Sequence, residues 1–294
     1  MCCRGKRREF FTVIVDILQK WNGNCKDGFD VNRLYIREIE SMLAIERRNE
    51  ILAKLLVDGK VIVSDLSKHY QVTEETIRRD LEKLENDGLA KKTYGGAVKN
   101  ENSNVDLPVT VRKRANVSGK MKIAERISRM INDGDFLALD SSSTAQYVVQ
   151  HIMQKKRITL ITNSVEILLE LSNKTDWTIL STGGVLKADS LSLLGYQAEK
   201  MIRTFHVDIA VCSCKGLDMT VGFTDSNERD AEVKKALLKS AKKKVLAVDY
   251  TKFDKISFVQ FADTDDIDMV VTDTEPSSEW KQHFDEHHVE LVDK

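Results

Sequence analysis

Between residues 117 and 292, short and nearly unbroken apolar runs alternate with helix-patterned stretches, and this alternation restricts the fold most. The helical stretch 117–132 leads to Phe136–Asp140, and 144–153 leads to Ile158–Thr162. Likewise 164–172 precedes Trp177–Leu180, 196–203 precedes Val207–Val211, and 228–241 precedes Val245–Asp249. Met269–Thr272, a helix over 278–286 and Val289–Val292 follow. A strand with one wet face alternates apolar and polar residues, whereas a strand covered on both faces does not. The predicted fold of this half is therefore α/β, a parallel sheet with helices on both faces.

The chain ahead of it has another texture. From Ala44, Ile45, Ile51, Leu52, Leu55 and Leu56 recur at helical spacing until Asp58-Gly59 stops them. Lys60–Val63 reads as extended, and Ser64 as the N-cap of a brief helix through Tyr70. Thr73 caps a second helix, with Glu74 and Glu75 where the helix dipole favours anions, and Gly88 closes it after about Asp87. Leu89–Val98 reads as two short strands around a Gly95-Gly96 tip. That order is a winged helix-turn-helix, assigned to residues 42–98. Residues 99–116, with Asn100, Asn102, Ser103, Asn104 and Pro108, read as a linker, and 117–294 as the larger second domain.

Lys plus Arg total 45 against 46 Asp plus Glu, so any nucleic-acid contact must come from a local arrangement. The Thr73 helix supplies one. Ile77, Leu81 and Leu84 share one sector of the helical wheel, while Glu75, Arg78, Arg79 and Glu82 face the other way. Paired arginines there suit guanine edges and phosphates; the plainer alternative is a solvated face laced with Glu75–Arg79 pairing. Lys91, Lys92 and Lys99 would reach phosphates from the wing.

In the second half, Asp140-Ser141-Ser142-Ser143-Thr144 lies where a strand ends and a helix begins. Free N–H groups and hydroxyls make such a turn an anion site, and open α/β sheets bind ligands at these strand ends. Thr162-Asn163-Ser164, Ser181-Thr182-Gly183-Gly184 and Asp249 with Lys252 occupy equivalent places. An internal Asp249–Lys252 ion pair is the alternative for the last two.

The apolar run Phe10–Val15 is cut by Asp16, too short for a membrane span or a signal segment. A cytoplasmic protein with no membrane partner is expected. Of five Cys, Cys2, Cys3 and Cys25 lie near the start, and Cys212 and Cys214 lack partners at ligand spacing. Reduced thiols, no metal and no cofactor are expected. Residues 1–41 are expected to belong to neither domain, Met42 resembling a natural start; a genuine N-terminal arm is the alternative.

Ile45-Glu46-Arg47-Arg48, Val72 to Leu81 and Thr93-Tyr94-Gly95-Gly96-Ala97 resemble the DNA-binding domain of the DeoR family of transcriptional regulators. Thr73 stands where the family often has Ser, and Lys92-Thr93-Tyr94 where Arg-x-His is common. The second half is similar to the DeoR effector domain, whose fold resembles ribose-5-phosphate isomerase. The likeness rests on Lys120-x-x-Ile123-Ala124, Gly134-Asp135, Asp140 to Thr144, Thr162-Asn163-Ser164, Gly183-Gly184, Gly222-Phe223-Thr224 and Asp249-x-x-Lys252-Phe253. The family loop often reads Gly-Thr-Thr where this chain has Ser142-Ser143-Thr144.

The resemblance implies that Thr76, Arg78 and Arg79 lie at an operator, with Ser64, Thr73, Glu75, Lys91, Lys92 and Tyr94 completing the DNA-facing set. It implies that Lys120 and Ser142–Thr144 hold a phosphate while Asn163, Asp249 and Lys252 face a sugar. Asp140, Ser141, Thr162, Gly183 and Gly184 complete that set. The expected function is a homo-oligomeric repressor, dimer or tetramer, of a carbohydrate-utilisation operon, relieved by a phosphorylated sugar. The alternative is a sugar-phosphate isomerase fused to a DNA-binding module, with Asp140 or Asp249 as base.

Overall fold

The computed structural model describes residues 31–100, 107–173 and 176–294, of 31–43 the backbone alone. Helix α1, Val31–Asp58, starts well before the expected Ala44 and runs through Met42 without a break. No proline or glycine occurs in 31–43 to stop it. The expectation for residues 1–41 otherwise lies outside the described residues. Residues 49–294 form one compact unit.

Strand β1 (Lys60–Ile62) leads into α2 (Val63–Tyr70), which starts at Val63 and not after Ser64. Ile62 is the N-cap residue and supplies no side-chain cap, so Ser64 sits in the first turn. Helix α3, Glu74–Asn86, begins as predicted: the Thr76 N–H donates to the Thr73 hydroxyl at 3.2 Å. Its Ile77, Leu81 and Leu84 are buried, and Gly88 takes the left-handed conformation, φ 72°, that ends the element. Strands β2 (Ala90–Thr93) and β3 (Gly96–Lys99) complete a three-stranded sheet in the order β1-β3-β2.

The two glycines of the wing do different jobs. Around Gly95 there is open space, whereas a Cβ on Gly96 would stand 1.9 Å from the Val61 carbonyl oxygen on the adjoining strand. Gly96 is thus a strand residue that lets β1 and β3 approach, and the tip is Tyr94-Gly95.

The linker is not a plain loop. Val109–Arg114 forms a short helix, α4, with Val109 and Val111 buried. Val111 packs into the same apolar cluster as Ile51, Leu55, Leu66, Ile77 and Leu81. Two apolar residues at alternate positions, Val109 and Val111, are too short a signal to mark a helix beside the polar stretch before them.

The second domain opens with α5 (Val117–Ser128), β4 (Phe136–Leu139), α6 (Ser143–Ile152), β5 (Thr159–Thr162), α7 (Val165–Leu171) and β6 (Thr178–Ser181). A hairpin of β7 (Val185–Lys187) and β8 (Ser192–Leu194) follows, then α8 (Tyr196–Ile202) and β9 (Val207–Cys212). Next are β10 (Gly216–Asp218), β11 (Gly222–Asp225), α9 (Glu228–Lys239), β12 (Ala241–Ala247) and β13 (Val259–Ala262). β14 (Met269–Val271), α10 (Ser278–Glu286) and β15 (Glu290–Val292) finish it. Among the described residues seven strands form one parallel sheet, ordered β15-β14-β12-β9-β4-β5-β6.

Successive residues of one strand feed opposite layers, which is why the strands read as apolar throughout. Leu137 and Leu139 pack with α5 and α6 through Ile123, Ile127, Val148 and Val149. Ala138 between them joins the opposite layer with Ala198, Ala231, Leu237 and Phe284. The β7–β8 hairpin and an antiparallel sheet of β10, β11 and β13 were not foreseen. Their strands are three or four residues long, too short to show a period.

Gly96→Ala is expected to lower stability by about 1–3 kcal/mol, because the added methyl meets backbone that cannot yield without opening the sheet. Gly95→Ala should stay within about 0.5 kcal/mol. Urea unfolding of the two variants makes the comparison; equal midpoints would contradict the assignment of Gly96 to the strand contact.

Candidate nucleic-acid interface and anion site

Helix α3 presents Glu75, Arg78 and Arg79 to solvent, with Thr76 half-buried at their flank. Arg79 Nε pairs with Glu75 at 3.1 Å, as the plainer alternative expected, and Arg78 pairs likewise with Glu74 at 2.6 Å. Exposed pairs of this kind are worth about 0.3–0.5 kcal/mol, so a phosphate or base edge displaces them cheaply. The Thr73 hydroxyl is engaged in capping and lies 2.9 Å from that of Thr76. Lys91, Lys92 and Tyr94 are exposed on the wing, and Ser64 is half-buried. The Lys92 N–H donates to the Glu85 carboxylate at 2.8 Å, which fixes the wing against α3.

The sheet of the second domain reverses its winding between β4 and β9, the place where such sheets open a crevice at their carboxyl ends. Asp140 spans it. One carboxylate oxygen accepts from the Ser142 N–H at 3.0 Å, and the other from the Ser213 N–H at 2.9 Å, beyond β9. Both oxygens are thereby turned toward backbone, so Asp140 holds the loop in shape.

Ser141, Ser142, Ser143 and Thr144 are all buried. The Ser142 hydroxyl accepts from the Ala145 N–H at 3.1 Å and caps α6. The first N–H groups of α6, at Ser143 and Thr144, have no acceptor within the helix and remain for a ligand. At the next strand end the Thr162 hydroxyl accepts from the Ser164 N–H at 3.1 Å. Asn163 donates its amide to the Leu193 carbonyl at 3.3 Å, and its buried side-chain oxygen has no partner among the described residues. Gly183 and Gly184 adopt φ of 64° and 111°, and a Cβ on Gly184 would come within 2.6 Å of the Leu194 carbonyl oxygen. Their placement is conformational: they turn the chain from β6 into the hairpin.

Lys120, on α5, is buried and donates its ammonium to the Ala115 carbonyl. Burial lowers its pKa to about 8, against the pull of Asp249; Lys252 and Arg112 lower it further, and Asp273 opposes them. Burial pushes the Asp249 carboxyl up, but Lys252, the Thr251 hydroxyl and Lys120 outweigh it and hold it below the usual carboxylate value. The direct partners of Asp249 are the Thr251 N–H at 3.0 Å and hydroxyl at 2.5 Å, with Lys252 acting from further off. Lys120, Asp249 and Lys252 therefore share one neighbourhood.

Sequence reasoning missed Lys234, Asp225, Ser213 and Arg112. The Lys234 ammonium donates to the Ser213 carbonyl at 2.5 Å, pairs with Asp225 and lies 3.5 Å from Asp140. A signal existed: Lys234 falls on the stripe of Asp230, Ala231, Leu237 and Leu238 that α9 buries.

The family model described as the DeoR-like helix-turn-helix domain matches residues 47–103, and that of the DeoR C terminal sensor domain matches 115–274. The chain belongs to the DeoR family of transcriptional regulators. The HTH-type regulator YulB of Bacillus subtilis is 37% identical over 233 residues, 79% of this chain and 90% of that protein. The L-fucose operon activator of Haemophilus influenzae is 32% identical over 234 residues, 80% and 94% of the two chains. The glycerol-3-phosphate regulon repressor of Escherichia coli is 26% identical over 250 residues, 85% and 99%. Among solved structures, ribose 5-phosphate isomerase from Plasmodium falciparum aligns with 46% of this chain at 15% identity and a TM-score of 0.34. The chain spans about half of that enzyme, 52%, and the score is too low to carry weight.

A pH dependence follows from Lys120. Its ammonium is largely charged below about 8 and loses its proton above, while a bound phosphate stabilises the charged form. Affinity for phosphate is expected to hold steady just below that pH and to fall by up to about tenfold per unit above it. Calorimetric titration with inorganic phosphate on both sides of the transition tests this, and Lys120→Arg should remove the fall. A profile in which wild type and Lys120→Arg decline together would rule Lys120 out.

Proposed function

We propose that this regulator represses a carbohydrate-utilisation operon and releases its operator when a phosphorylated sugar binds the strand ends of the second domain. The observation that carries the reading is the buried Lys120 ammonium, bonded to a backbone carbonyl, in a domain whose α6 start offers free N–H groups and hydroxyls. A cation kept from water without a carboxylate bonded to it is costly, and an arriving phosphate offsets that cost. On this reading Lys120, Ser143 and Thr144 meet the phosphate, and Asn163, Asp249 and Lys252 the sugar. The relatives named for operons and regulons of fucose and glycerol 3-phosphate support the substrate class. One of them is an activator, so repression rests on the other.

The winged domain, over 42–98, would lay α3 in the major groove, with Arg78 and Arg79 at base edges and Lys91 and Lys92 on phosphates. A homo-oligomer, dimer or tetramer, pairs two such helices on a two-fold operator. A cytoplasmic location is proposed with it; among the described residues no helix is long and apolar enough to cross a membrane. The isomerase alternative is disfavoured by its own candidate bases. Asp140 spends both oxygens on backbone N–H groups, and Asp249 is held below the ordinary carboxylate value, the wrong direction for a base.

Arg78→Ala or Arg79→Ala should cost about 1–3 kcal/mol in operator affinity and relax specificity at one position. Lys91→Ala should weaken all sequences alike and reduce the salt slope by about one. Gel-shift titrations at two salt concentrations measure both, and unchanged affinity in both arginine variants would sink the assignment of α3.

Ser143→Ala and Lys120→Ala should bind operator normally yet fail to release it at ligand concentrations that free the wild type. If a dephosphorylated sugar binds as tightly as its phosphate in calorimetry, the anion site is wrong.

A further inference from the structure

Helix α4 touches both domains along its whole length. Val111 is fully buried in the winged-domain core, and Arg114 pairs with Glu50 of α1 at 2.7 Å. On the other side, the Val109 N–H donates to the carbonyl of Asp189, in the β7–β8 turn, at 3.0 Å. The Lys113 carbonyl accepts from the Tyr147 hydroxyl of α6 at 3.0 Å, and the Ala115 carbonyl accepts from Lys120.

Arg112 is the exception. Its Nε donates to the Leu107 carbonyl at 3.0 Å, and neither terminal amino group has a hydrogen-bond partner among the described residues. Arg112 stands three positions before Ala115, the C-cap of α4, so Arg112 and the carbonyl that holds Lys120 share the C-terminal end of the helix. The two cations feel one another, since Arg112 is among the charges that lower the Lys120 pKa. Two cations at one end of α4, Lys120 buried and Arg112 half-buried with an open fork, suit a shared dianion.

We propose that Arg112 is a ligand-binding residue, taking the phosphate together with Lys120, and that α4 carries occupancy from there into the winged domain. This rests on the reading of the strand ends as a phosphorylated-sugar site. The ligand competes with the Ala115 carbonyl for Lys120 and draws on Arg112, so it loads α4 at both points. Val111 and Arg114 sit on the same six residues and move with them. The winged domain thus senses the phosphate through a helix that is part of its own core.

The test uses the full chain, an operator fragment selected from random duplex DNA, and four probes: inorganic phosphate, glycerol 3-phosphate, ribose 5-phosphate and fructose 1-phosphate. Arg112→Met should weaken the best phosphate by roughly tenfold or more, Arg112→Lys less, with operator affinity without ligand unchanged. At saturating ligand Arg112→Met should still release the operator incompletely, whereas Ser143→Ala, once saturated, should release it as the wild type does.

Arg112→Met that binds the phosphate as well as wild type overturns this inference alone. Arg112→Met that loses operator affinity without ligand assigns the residue to holding the winged domain and overturns it too. Complete release by saturated Arg112→Met overturns the relay. Wild-type protein that binds none of the four probes overturns the effector reading and this inference with it.

Discussion

The ammonium of Lys234 is enclosed where the parallel sheet reverses its winding, and the geometry of the surrounding strand ends depends on it. It joins the carbonyl of Ser213 after β9, the carboxylate of Asp225 at the end of β11 and, at 3.5 Å, that of Asp140 after β4. The ring of Phe261 lies 5.4 Å away. Burial by itself would strip the proton from such a lysine, but Asp225 and Asp140 outweigh it and hold the group well above its usual pKa. Burial likewise pushes Asp225 up, and Lys234 pulls it below the ordinary value. Deleting one member of a buried ionic group typically costs about 3–5 kcal/mol, because the remainder stays charged and unpaired. The loop that begins α6 is therefore shaped by the charges of Lys234, Asp225 and Asp140. The neighbouring thiols follow the same field: burial raises Cys212, and raises Cys214 to about 12, so both stay protonated and unreactive.

The two candidate surfaces use charge in opposite ways. On α3 the arginines are exposed and their carboxylate partners are screened, so exchanging them for DNA phosphates is nearly balanced and the gain comes from released counterions. In the second domain Lys120 is held away from water by the fold, and the cost is already met before a ligand arrives. The first arrangement suits a large polyanion met at many points. The second suits one small dianion met closely, because a fixed dipole or charge in a dry site does not have to reorganise.

What was legible in the chain was what local physics decides. Thr73, Gly88 and the stripe Ile77-Leu81-Leu84 marked α3 because caps and periodicity belong to the segment itself. The strands showed because each residue of, for example, Leu137-Ala138-Leu139 is buried on one face or the other. What stayed hidden depends on a distant partner. Gly96 is required by the Val61 carbonyl on another strand, and Val111 by a core that precedes it by up to sixty residues. At the site, the hydroxyl loop was readable as residue types at a strand end, whereas Lys120, on α5, came only from the family resemblance. That Asp140 bridges to Ser213 could not be read, because nothing in the sequence reveals that Ser213 lies within reach of it.

The hairpin β7–β8, unforeseen in the sequence, ties the connector helix α4 to the strand ends. Its second strand exchanges bonds with the candidate site: the Leu193 N–H donates to the Asn163 carbonyl at 2.8 Å, and the Asn163 amide returns to the Leu193 carbonyl. Its turn holds Val109 of α4 through Asp189, and Lys187 secures it to Asp230 at the start of α9 at 2.9 Å. Positive φ at Gly184 before it and Gly195 after it gives the hairpin two backbone joints. Asn163 keeps one buried oxygen unpaired, and an unpaired buried acceptor favours any ligand hydroxyl that can donate to it. A donor arriving there would change the balance of bonds that Asn163 makes to Leu193, and Leu193 is four residues from Asp189, which grips α4. Two chains of bonds, one from Lys120 to Ala115 at the C-cap and one from Asn163 through the hairpin to Val109, thus meet the two ends of the same short helix. A short helix gripped at both ends by one domain, with its middle residue in the core of the other, has little freedom to absorb a displacement, which is the property the proposed relay requires.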